Sequence, residues 1–195
     1  MSKKRSVKQR LWLASQSPRR RELLRKRRIP FRVVASRYEE RTARNVSPAR
    51  LVKQHALGKA KGAWKTQSGV VLGADTVVYC RGRILGKPKS RKEAVRMLRL
   101  LSGRAHSVYT GLALFSPETG KTLVRHAKTI VLFKPLTKED INRYLERIHP
   151  YDKAGSYAIQ TGSIVRALRG SYTNVVGLPM ELLSTMLKQF DPIPK

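Results

Sequence analysis

The chain has 195 residues, 42 of them Lys or Arg against 12 Asp or Glu, for a formal net charge of +30. With 41% hydrophobic residues it can build one core, or two lobes sharing one, and its single cysteine, Cys80, excludes an intramolecular disulfide and a four-thiolate zinc site. The apolar "LWLA" behind the basic start is far too short for a signal-peptide core or a membrane span, so the reading is a cytoplasmic protein without membrane association.

Residues 1–8 read as a basic tail, "DPIPK" as a frayed end, and residues 9–191 as one domain. "RLWLAS" is a short apolar strand, "QSP" a turn, and "RRRELLRKRR" a basic helix. Ser17 takes its N-cap and Pro18 its first position, where a missing N–H costs nothing. Such a helix aims unpaired N–H groups and its positive dipole end back at the strand end, the usual place for a phosphate. "PFRVVAS" is a second strand, closed by a loop with adjacent acids, Glu39 and Glu40. "SPARLVKQHALGKAKGAW" is a helix capped by Ser47, with Leu51, Val52, His55, Ala56 and Lys59 near helical spacing.

"GVVLGADTVVYC" is the most apolar strand, interrupted by one acid, Asp75. "RGR" turns into "ILGKP", and "SRKEAVRMLRLLSG" is a helix capped by Ser90 and closed at Gly103. "HSVYTGLALFS", "KTLVRHAKTIVLFKPL" and "GSIVRALRG" are strands, the second with a break; "TKEDINRYLERI", capped by Thr137, and "GLPMELLSTMLKQF" are helices. "YDKAGSYAIQTG" reads either as a turn and a strand or as a close-fitting loop whose amide, on Gln160, contacts a base edge. Alternation in the first half and clustered strands in the second give an α/β fold with a mixed sheet.

With twelve acids in the chain, an acid in an apolar strand carries information. An unpaired buried carboxylate costs several kcal/mol, so Asp75 needs a metal, a cation or hydrogen-bond donors. Glu39 and Glu40 are either solvated loop acids or ligands for a hard divalent cation. The four histidines are scattered and form no Ser-His-Asp or Cys-His set; His106 reads as structural. No "GxxxxGK[ST]" occurs, which disfavours an ordinary P-loop NTPase. The basic residues run along the whole chain, without zinc-finger spacing, an RNP-type motif or a basic region leading into heptads. They are either a solvated surface or the footprint of a polyanionic partner such as nucleic acid.

"LASQSPRRRELL", "GADTVV", "ILGKP", "MLRLLSGRAHSVYTGLAL", "DKAGSYAIQ" and "GSYTNVVGLP" together resemble the Maf family of nucleoside triphosphate pyrophosphatases. The resemblance implies a mixed sheet in two lobes around a cleft, like the inosine triphosphate pyrophosphatases. It also implies metal-dependent (Mg²⁺ or Mn²⁺) hydrolysis of a nucleoside triphosphate to the monophosphate and pyrophosphate, and a homodimer. On that likeness Asp75 is the catalytic proton acceptor, Ser15, Arg19, Arg20, Lys59 and Lys87 bind phosphate, and Glu40 with Asp75 holds the metal. Arg19, Thr76 and Gln160 match the branch acting on dTTP and UTP, with modified pyrimidine triphosphates as further candidates. The competing expectation is a basic nucleic-acid-binding protein on a Maf-like scaffold with weak or lost catalysis.

Overall fold

A computed structural model describes residues 10–40, 46–63 and 69–190. The basic tail and the last five residues lie outside the described residues.

The strands are β1 (Leu11–Leu13), β2 (Phe31–Val33), β3 (Val70–Cys80), β4 (Arg83–Leu85), β5 (Ala105–Phe115), β6 (Thr122–Phe133) and β7 (Val165–Arg169). The helices are α1 (Pro18–Lys26), α2 (Pro48–Gly62), α3 (Arg91–Leu101), α4 (Lys138–Arg147), α5 (Tyr172–Val176) and α6 (Met180–Phe190). The strands form one mixed sheet in the order β2-β1-β3-β5-β6-β7, with β4 folded back on β3. β1 runs parallel to β2 and β3, and the other pairings are antiparallel.

Three local expectations need correction. Ser17 stands at the N-cap of α1, but its side chain accepts no capping hydrogen bond; its own N–H donates to Ser15 Oγ at 3.3 Å. β6 is unbroken over 12 residues, because Arg125, His126 and Lys128 are exposed strand residues and not a turn. The stretch after α4 contains no strand before β7: residues 150–161 make three short 3-10 turns, with Gly155 at φ +69° and Gly162 at φ +65° where an L side chain would be strained.

β3 organises the molecule. Side chains alternate along a strand, so Val70, Leu72 and Ala74 enter a core with β1, α1 and α6. Farther along the same face, Val78 and Cys80 enter a second core with α3 and α4. Thr76 lies between these two apolar stretches, and Asp75 points to the other face. Val71 and Val77 point to that other face too and pack with α2; Gly73, with Gly111 of the neighbouring strand β5, lets α2 come down onto the sheet. A Cβ at Gly73 would lie 2.0 Å from the carbonyl oxygen of Ala56, and one at Gly111 2.2 Å from that of Val52.

Candidate active site

The close seating of α2 carries its polar residues to β3. His55 and Lys59, one turn apart and on one face, both reach the carboxylate of Asp75. Lys59 Nζ donates to Oδ1 at 2.6 Å, and His55 Nδ1 lies 3.3 Å from Oδ2. Asp75 pairs in register with Gly111, and no side chain stands between it and α2 at that position. Burial works to raise the pKa of this carboxyl. The His55 hydrogen bond, the charge and hydrogen bond of Lys59 and the charge of Arg20 outweigh it and hold the group well below the usual carboxylate range.

Glu40 arrives on the segment that follows β2. Gly58 and Gly62 present bare backbone to the chain after β2; a Cβ at Gly58 would sit 2.2 Å from the Tyr38 ring, and one at Gly62 2.8 Å from Ser36 Oγ. Residues 36–40 therefore lie flat on the helix. Tyr38 tilts over the His55 ring at 5.8 Å, and Glu40 Oε1 reaches Lys59 Nζ at 2.6 Å. One ammonium thus stands between two carboxylates. Glu40, His55 and Asp75 each bring a ligand atom within 4.8 Å of the others, and the two carboxylates among them suit a hard divalent cation. Glu39 is exposed.

On the opposite face of β3, Thr76 meets Arg20. This buried guanidinium donates to Gly177 O at 2.8 Å through Nε, to Ser15 Oγ and Ala74 O at 3.0 Å each through Nη1, and to Thr76 Oγ1 at 3.1 Å through Nη2. Four of its five N–H groups are spent on the protein, so Arg20 braces the site and has little left for a phosphate. Burial lowers its pKa despite the nearby Asp75 charge. Ser15 Oγ accepts from both Arg20 and the Ser17 N–H, which leaves the hydroxyl proton as its outward donor function.

Arg19 points the other way. It donates to Asp152 Oδ2 at 2.5 Å and to Asp152 O at 2.8 Å, fastening the 150–161 segment to the start of α1. Burial would raise the Asp152 carboxyl, but hydrogen bonds from Lys153 and Arg19 and their charges bring it down to about 2. Lys87 and Gln160 are exposed at the rim.

Ser15, Arg19, Arg20, Glu40, Lys59, Asp75, Thr76, Lys87 and Gln160 all line one cleft of about 770 Å³. His55 and Asp152 line it too. Sequence reasoning gave neither a role. The i, i+4 spacing of His55 and Lys59 was a signal for the first; Asp152, 133 residues from Arg19, offered none. His106 is buried against Tyr157 and Phe133, outside that cleft, and burial lowers its pKa to about 4.

A family model described as Maf-like protein matches residues 10–190. The chain belongs to the Maf family. A protein of Bacillus cytotoxicus named dTTP/UTP pyrophosphatase is 50% identical over 182 residues, covering 92% of this Maf chain and 94% of the relative. One of the same name from Pelotomaculum thermopropionicum is 45% identical over 181 residues, covering 91% and 95%. Among solved structures, a HAM1 protein from Coxiella burnetii superposes with TM-score 0.53 at 18% identity, covering 93% of this chain and 99% of that one. The Staphylococcus aureus Ham1 protein gives 0.51 at 14%, covering 93% and 100%. These last two establish a shared fold. Among the described residues no helix of this Maf protein is long and apolar enough to cross a membrane.

Proposed function

We propose that this Maf protein hydrolyses dTTP and UTP to the monophosphate and pyrophosphate. The observation that carries the reading is Asp75: a buried, ionised carboxylate in a cleft that Arg19, Arg20, Lys59 and Lys87 also line. Ionised and turned to the cleft, it can orient a water and accept its proton, and the lysines and Arg19 of the same cleft suit a polyphosphate. The uncapped N-terminus of α1, the Ser15 hydroxyl, Arg19, Lys59 and Lys87 supply donors and positive charge for the triphosphate.

Asp75 takes a proton from water as the water oxygen attacks the α-phosphorus. The α–β bridging bond breaks, and its electron pair leaves on pyrophosphate, whose growing charge Arg19, Lys59 and Lys87 offset. Glu40 and Asp75 would hold Mg²⁺ or Mn²⁺, which when bound supplies further neutralisation of the phosphate oxygens. Gln160 at the rim offers a donor and an acceptor to the imide edge shared by uracil and thymine. Arg19, held by Asp152, and Thr76 line the same cleft and would contribute to the choice among nucleotides.

The test is pyrophosphate release across dTTP, UTP, CTP, GTP, ATP and 7-methyl-GTP with Mg²⁺ or Mn²⁺. Selective release from dTTP and UTP supports the reading; silence across the panel withdraws it. The same reading carries a cytoplasmic homodimer, checked by light scattering. It leaves the surplus of basic residues to a polyanionic partner, checked by salt-dependent retention on DNA, steep if several phosphates are neutralised.

A further inference from the structure

We propose that His55 is the positioning residue for Asp75. The inference rests on the reading of Asp75 as the base that activates water, and it explains how that base is aimed. A carboxylate on a short side chain turns freely about its Cβ–Cγ bond unless both oxygens are engaged. Here Lys59 holds Oδ1 at 2.6 Å and His55 Nδ1 stands 3.3 Å from Oδ2. Both partners come from one face of α2, which Gly73 and Gly111 seat against the strand that carries the acid.

An ionised carboxylate can only accept, so the Nδ1 of His55 carries the proton in this contact. The imidazole is itself packed in place, nearly buried and tilted under Tyr38. The Lys59 contact is shared with Glu40 and lies where phosphate must also bind, so it is the contact that substrate rearranges. His55, buried and packed under Tyr38, keeps its contact through that rearrangement. His55 therefore keeps the remaining lone pairs of Asp75 turned to the cleft, which lowers the barrier to water attack without touching substrate.

The test compares His55→Leu, His55→Asn, His55→Gln, Asp75→Asn and the double variant His55→Leu with Asp75→Asn, with kcat and KM for dTTP measured separately and thermal unfolding recorded for each. Asn places its amide N–H where Nδ1 stands, and Gln places it near Nε2. The expected result is a loss in kcat of about 10- to 100-fold for His55→Leu, the range for a hydrogen bond to a charged group, with KM little changed. His55→Asn recovers most of that loss and His55→Gln does not. The double variant is no slower than Asp75→Asn alone, because a residue acting only through the carboxylate has no effect once the carboxylate is gone.

A folded His55→Leu with near-native kcat overturns the proposal while Asp75→Asn remains inactive. Equal rates for the Asn and Gln variants overturn it even where Leu proves unstable, since those two differ only in where the donor sits. Near-native turnover in Asp75→Asn removes the underlying reading, and the role of His55 goes with it.

Discussion

The ammonium of Lys59 lies 2.6 Å from Oδ1 of Asp75 in a pair where the lysine side chain is 15% exposed and the carboxylate 8%. Removing Lys59 leaves the buried Asp75 charge with only the His55 hydrogen bond and the Arg20 charge, and breaking a buried pair costs about 3–5 kcal/mol. Lys59→Met is accordingly expected to lower the thermal midpoint sharply and to abolish turnover. Glu40→Gln breaks the half-exposed side of the same lysine and is expected to leave the midpoint nearly unchanged, since exposed ion pairs contribute at most about 1 kcal/mol. Denaturation of the two variants side by side checks both statements.

Gly73 and Gly111 set the distance between sheet and helix. A methyl group at either position meets backbone carbonyl oxygen, which cannot turn aside as a flexible side chain can. Gly73→Ala and Gly111→Ala should each cost about 1–3 kcal/mol or more from overpacking. Because the displaced helix carries Lys59 and His55, turnover should fall further than the loss of stability accounts for, as assays well below the unfolding transition would record.

Arg20 is expected to behave as a brace. Arg20→Lys keeps the charge but cannot span Gly177 O, Ala74 O, Ser15 and Thr76 together. A stability loss on the order of 3 kcal/mol follows from the stranded buried acceptors. Arg19→Lys, on the half-buried side of the same helix end, should alter dTTP and UTP use with a smaller change in unfolding. Urea titration and steady-state kinetics separate the two.

His106 gives the fold a pH dependence of definite sign. Its pKa is about 4 in the folded protein against 6.5 as the ordinary value, so the unfolded chain takes up the proton first. The contribution is fully present above pH 6.5 and is lost progressively as pH falls toward 4, by up to about 3 kcal/mol. Replacing His106 with Leu should flatten the stability profile between those two values.

Much of this was legible in the sequence because it is local. Ser47 and Ser90 do cap α2 and α3, accepting from Arg50 and Glu93 N–H, and Thr137 makes a reciprocal capping box with Asp140. An acid inside "VVLGADTVV" must be held by something, and it is held by a lysine already singled out. What was not legible depends on packing. His55 is one of four scattered histidines until Gly73 and Gly111 bring α2 against β3. Arg20 reads as a phosphate ligand until four protein acceptors are seen to occupy it. Residues 150–161 carry enough apolar side chains for a strand, yet positive φ at Gly155 and Gly162 bends them into turns. The polar alternation of β6 reads as a break only when its solvent-facing side is unknown.

The most direct measurement is steady-state dTTP hydrolysis by Asp75→Asn beside the unaltered protein, with nucleotide affinity measured in parallel. The substitution removes the charge and the basic lone pairs while keeping the shape. It should cut kcat by roughly 10²- to 10⁴-fold, the span attributed to a general base, with affinity nearly intact. Near-native kcat in a folded Asp75→Asn protein would contradict the assignment of this carboxylate as the base.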